Sequence, residues 1–104
     1  MSRYYVRWQM NPQFISANPE EVAKLWLSLQ KMVKEDIQAG KIKDWGAVAG
    51  ELSGYTIWEA SSEVELHADV LRYVPYASFE SNPVLTLDQL AELTKKMLAT
   101  AKAK

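Results

Sequence analysis

Ala49-Gly50-Glu51-Leu52-Ser53-Gly54-Tyr55-Thr56-Ile57-Trp58-Glu59-Ala60-Ser61-Ser62 is the stretch on which the reading of the fold turns. From Tyr55 to Glu59 it carries the aromatic and β-branched residues that suit a pleated strand. Ser53-Gly54 before it predicts a two-residue hairpin turn, with glycine supplying the positive φ. That turn pairs Leu52 with Tyr55, Glu51 with Thr56, Gly50 with Ile57 and Ala49 with Trp58. Val48, Leu52, Tyr55 and Ile57 then share one face, and Trp45, Ala47, Ala49, Glu51, Thr56 and Trp58 share the other. Ser62-Glu63-Val64-Glu65 is a capping box that starts a helix.

Working outward, the hairpin's first strand begins at Ile42, and Tyr4 to Met10 alternate as a strand with Tyr4, Val6 and Trp8 opposite Tyr5, Arg7 and Gln9. Between them Asn18-Pro19-Glu20-Glu21 reads as an N-cap, a first-turn proline and two dipole-favoured carboxylates. Val22, Leu25, Trp26, Leu29, Met32, Val33 and Ile37 follow at helical spacing, and Gly40 ends the helix. Downstream, a helix burying Leu66, Val70 and Val74 stops at Pro75, and Tyr76 to Phe79 or Glu80 form a fourth strand. Thr86-Leu87-Asp88-Gln89 opens a last helix, about 86–102, striped by Leu87, Leu90, Met97 and Leu98.

The order is β-α-β-β-α-β plus a helix: an α+β, ferredoxin-like single domain over 1–104, with its core at about 3–84. Its two helices cover one face of the sheet. The expectation is that Tyr5, Arg7, Trp45, Ala47, Ala49 and Trp58 occupy the other, and that a second copy covers them as a sheet-to-sheet homodimer enclosing an α+β barrel.

Composition narrows the function. Of 104 residues 48% are apolar and 24% charged, with net charge −1 and no cysteine. Thiolate catalysis, disulfide stapling and zinc-finger chemistry are excluded, and no basic footprint marks nucleic acid or anionic membrane as partner. Metal-loop spacing, a phosphate loop and a nucleophile elbow are absent, so no metal and no cofactor are expected. Charges in Met1-Ser2-Arg3-Tyr4-Tyr5-Val6-Arg7 interrupt any leader-like apolar stretch, which favours a cytoplasmic location. The aromatic content, 11% with four Trp and five Tyr, is high for a core of this size.

The sequence resembles the muconolactone isomerase-like branch of the dimeric α+β barrel superfamily from Tyr5 to about Glu80. The residues that carry the likeness are Ala49 to Ser62, Leu66-His67, the Val74-Pro75-Tyr76 break and the basic Arg7. The resemblance implies a homo-oligomer that acts on a small molecule without a cofactor. It also implies a histidine at the Glu51 position and basic and aromatic residues near Asp44 and Ala47, where this chain has acidic or small residues.

Glu51, read as entering the barrel among tryptophans, has its charged form disfavoured by desolvation, which suits a general base. Arg7 is its expected companion, holding a substrate carboxylate or developing enolate; an Arg7–Glu51 pair that only satisfies two charges is the alternative. Tyr5, Trp45, Thr56 and Trp58 are expected to line a flat binding pocket, although aromatic residues also enrich interfaces. His67 joins them as a binding residue or proton shuttle, or is an ordinary surface histidine. The reading is a cofactor-independent isomerase that moves a proton on a lactone or small organic acid. The alternatives are a non-catalytic oligomeric binding or scaffold protein and, with His67 turned inward, haem-binding or monooxygenase-like chemistry.

Overall fold

The computed structural model describes residues 1–103. Its elements are β1 (Ser2–Met10), a 3-10 turn (Pro12–Phe14), α1 (Pro19–Gln38), β2 (Ile42–Ala47), β3 (Ser53–Ala60), α2 (Glu63–Leu71), β4 (Ala77–Val84) and α3 (Leu87–Ala103). The four strands form one antiparallel sheet in the order β2-β3-β1-β4, the expected ferredoxin-like plan with an added C-terminal helix. The caps form as read. Asn18 Oδ1 accepts from the Glu20 N–H at 2.9 Å, and Ser62 Oγ accepts from the Glu65 N–H at 3.2 Å. The Thr86 box is reciprocal: Gln89 N–H donates to Thr86 Oγ1 at 3.2 Å and Thr86 N–H to Gln89 Oε1 at 2.8 Å. Gly40 takes φ +79, as a residue just past a helix end does.

The hairpin differs from its expectation. β2 ends at Ala47, and Val48–Leu52 form the connection. Glu51 N–H closes a turn onto the Val48 carbonyl at 3.1 Å, with Gly50 at φ +83, the position that requires glycine in a type II turn. Gly54 lies inside β3, opposite Trp8 and Ala47. A bulge between Ile42 and Asp44 then resets the parity of β2, so that Ile42 faces Trp58 and Trp45 faces Thr56.

The faces follow from this register. Tyr4 pairs with Trp58 and Val6 with Thr56, so these side chains and Trp45 lie on the side that α1 and α2 cover. Trp58 and Tyr4 are 1% and 2% exposed. Placing Trp45, Thr56 and Trp58 on the uncovered face is therefore corrected: burying an indole under helices removes more apolar surface from water than burying Tyr55 or Ile57. The uncovered face carries Tyr5 and Arg7, as expected, with Tyr55 and Ile57 beside them.

Gly54 shapes the packing on the covered face. A Cβ there would collide with the Gly46 carbonyl and come within 2.5 Å of the Trp8 ring. The missing side chain leaves a slot through which Trp8 reaches across β3 to stack on Trp45, with ring centroids 5.4 Å apart and planes at 11°. Gly54→Ala is expected to lower stability by about 2 kcal/mol or more, because the backbone carbonyl cannot yield as a flexible side chain could. A melt indistinguishable from the parent protein would refute this.

α3 stands apart. None of its residues is buried, and Leu87, Leu90, Leu93, Met97 and Leu98 are all exposed. The molecule is accordingly elongated, 67 × 26 × 19 Å. Among the described residues no helix is long and apolar enough to cross a membrane.

Candidate functional site

Between α1 and the covered face of the sheet lies a pocket of about 230 Å³. All four tryptophans of the chain line it: Trp8 from β1, Trp26 from α1, Trp45 from β2 and Trp58 from β3. The local reason lies in each element. Trp26 is on the apolar stripe of α1, Trp8 uses the Gly54 slot, and the β2 bulge turns Trp45 to the side of Trp58. The tryptophans of the composition are thus gathered around one pocket.

The exposed lining residues Ala47, Glu51 and Leu52, from the end of β2 and the β2–β3 connection, mark the mouth together with Gln30 of α1. Glu51 is exposed and accepts a hydrogen bond from Ser53 Oγ at 2.9 Å. The desolvation expected for it is absent in the protomer, because the turn places it at the rim and not inside a barrel. Among the described residues it is nevertheless the one charged member of the pocket lining.

Polar groups in the wall are few. Thr56 Oγ1 donates to the Asp44 carbonyl at 3.0 Å, and the Tyr73 hydroxyl donates to Asp36 at 2.6 Å, so both are engaged. The indole N–H groups of Trp8, Trp26 and Trp58 are themselves buried and have no acceptor among the described residues.

The other expected residues lie elsewhere. Arg7 and Tyr5 project from the opposite face of β1. Arg7 lines a broader depression at the sheet end, shared with Glu51 and Glu80. Among the described residues no ion pair joins Arg7 to Glu51. Tyr5 stacks on Tyr55 at 6.5 Å, and the Tyr55 hydroxyl, which donates to Asp44 at 3.0 Å, is held protonated above its ordinary range by that hydrogen bond. His67 is exposed on α2 and lines neither hollow, which removes the observation that haem-binding or oxygen chemistry required. Among the described residues no cluster of three or more His, Asp or Glu is placed to hold a metal ion.

Sequence reasoning missed Trp8 and Trp26 as pocket residues, and it missed a buried cluster beneath. Asp36, 2% exposed, accepts from the Tyr73 hydroxyl and from the Arg72 guanidinium at 2.8 Å, tying the end of α1 to the end of α2. The signal was present: Asp36 interrupts the apolar stripe of α1 between Val33 and Ile37.

Comparison with known proteins agrees with this fold. The family profile described as Muconolactone delta-isomerase matches residues 3–92. No curated protein matches. Among solved structures, the crystal structure of muconolactone isomerase at 3.3 Å resolution superposes with a TM-score of 0.66 at 16% identity, covering 81% of this chain and 88% of that one.

Proposed function

The chain belongs to the muconolactone delta-isomerase family, and from that premise we propose that it is a cofactor-independent isomerase that moves a proton between two carbons of an unsaturated lactone bound in the tryptophan-lined pocket. The observation that carries this reading is the position of Glu51, a single carboxylate at the rim of an otherwise apolar, ring-sized space. Glu51 takes a proton from one ring carbon, and the electron pair delocalises into the lactone carbonyl as a dienolate. The same carboxyl group returns the proton to the second carbon, so no other reactant is consumed. The pocket wall holds the ring flat and keeps water from the dienolate. Arg7, in the adjoining depression, meets only a substituent that protrudes from the mouth.

The test is the interconversion of α- and β-angelica lactone in D₂O, followed by NMR. Protein-dependent isomerisation with deuterium entering the ring is expected. A rate equal to that of buffer leaves the non-catalytic binding protein as the better reading.

Self-association accompanies this function. The protomer exposes 7448 Å², about 1,500 Å² more than the roughly 5,900 Å² of a compact monomer of its mass. That excess is larger than the approximately 800 Å² per partner that a standard interface buries. Part of that excess belongs to α3, none of whose residues is buried, and on the sheet Tyr5, Tyr55 and Ile57 form a flat, apolar strip that a second copy can cover. Sedimentation equilibrium is expected to give a multiple of 11.8 kDa, and Ile57→Glu to reduce it. A monomeric parent protein at micromolar concentration would refute the dimer.

A further inference from the structure

The pocket's charge specifies its ligand more narrowly than the fold does. Among the described residues that line it there is no lysine, arginine or histidine, and its one charged member is the carboxylate of Glu51. An anionic group entering this space loses its hydration, finds no cation to pair with and meets a like charge at the mouth, a combination that proteins avoid. Arg7 does not repair this. It lies on the far face of β1, in a depression where Glu51 and Glu80 outnumber it.

The size and the flat walls complete the description. A dry cavity of about 150 Å³ accepts one benzene ring, so about 230 Å³ accommodates a bicyclic ring or a single ring with a short substituent. Four indoles and Phe79 offer flat apolar surface to such a ring. The hydroxyls of Thr56 and Tyr73 are already engaged and the unpartnered indole N–H groups of Trp8, Trp26 and Trp58 are themselves buried, so the wall holds a ligand by contact and shape and leaves any charge on it unpaired.

We infer that the ligand of this pocket is a neutral, flat ring compound of one to two rings, and that ring compounds carrying a carboxylate are excluded. The inference rests on the reading of this pocket as the ligand site, and it goes beyond that reading in rejecting the acidic lactones that the fold alone would admit.

A matched pair tests it. Phthalide is a neutral bicyclic lactone, and phthalide-3-carboxylate is the same skeleton with one negative charge. Titrated at pH 7.5 against the tryptophan fluorescence of the intact protein, phthalide is expected to give a saturable change with a Kd at least tenfold below that of the carboxylate. Glu51→Gln, an exposed position whose substitution leaves packing untouched, narrows the gap severalfold by relieving the repulsion. Ala47→Phe at the mouth fills the opening and removes the response. Equal or tighter binding of the carboxylate overturns the inference, as does the absence of any saturable change with phthalide or a response that survives Ala47→Phe. The isomerase reading fails separately: selective phthalide binding together with inert angelica lactones retains the neutral-ring pocket and removes the catalysis.

Discussion

Glu51→Gln abolishes angelica lactone isomerisation to within the background rate, a fall of about 100-fold to 10,000-fold, the range that general acid–base catalysis contributes. The amide keeps the shape and the Ser53 hydrogen bond that Glu51 makes in the turn, but it has no lone pair basic enough to accept a carbon-bound proton. Because Glu51 is exposed and the turn is set by Gly50, the variant melts with the parent protein. A loss of rate therefore reports chemistry and not unfolding. Glu51→Asp separates reach from basicity: it keeps the carboxylate but withdraws it by one methylene, and it is expected to retain part of the rate. Turnover unchanged in Glu51→Gln would remove this residue from the mechanism and leave the pocket without a base, since its other polar lining groups are hydroxyls already engaged, indoles and the Gln30 amide.

The contrast with Arg7 sharpens the point. Strand alternation puts Arg7 on the face away from the pocket whatever the register of its neighbours, so Arg7→Ala leaves turnover of a neutral lactone within about twofold, in keeping with a substitution that touches no reacting group.

Element order was readable because each boundary had its own local chemistry: Asn18 and Ser62 as N-caps, Gly40 past a helix end, the reciprocal Thr86 and Gln89 pair. The faces of the hairpin were not readable, and the reason is specific. Both faces of β3 are apolar, Tyr55 and Ile57 on one and Thr56 and Trp58 on the other, so strand alternation does not say which side the helices cover. The deciding feature is the pairing with β1, which sets Tyr4 against Trp58 and Val6 against Thr56 and which no local pattern announces. Ser53-Gly54 also gave a false turn signal. Gly54 is required for the approach of the Trp8 ring and the Gly46 carbonyl, a tertiary demand that looks like turn chemistry in one dimension. Glu51 was identified as the candidate base, but for a barrel interior; the structure puts it at the rim of a different space.

Asp36→Ala is expected to destabilise the protein by about 3 kcal/mol, the cost of stripping a buried hydrogen-bonded carboxylate from its partners. The figure sits at the low end because Arg72, 41% exposed, can turn to water once released. Tyr73 cannot, as it is 5% exposed and its hydroxyl is held at 2.6 Å from Asp36. Burial first, and then that hydrogen bond, hold the Tyr73 hydroxyl protonated well above its ordinary value of 10.0. The sign of the pH dependence follows. Above pH 10 the unfolded chain releases the Tyr73 proton while the folded chain keeps it, so the unfolded state binds fewer protons and stability falls as pH rises. The contribution is complete below pH 10 and fades above it. Tyr73→Phe has no such proton, and it costs about 1 to 2 kcal/mol at neutral pH through the lost hydrogen bond. The gap in melting temperature between the parent protein and Tyr73→Phe is therefore constant from pH 7 to 9 and closes between pH 10 and 11.5. A gap that stays constant through that alkaline range would show that Tyr73 ionises equally in the folded and unfolded states.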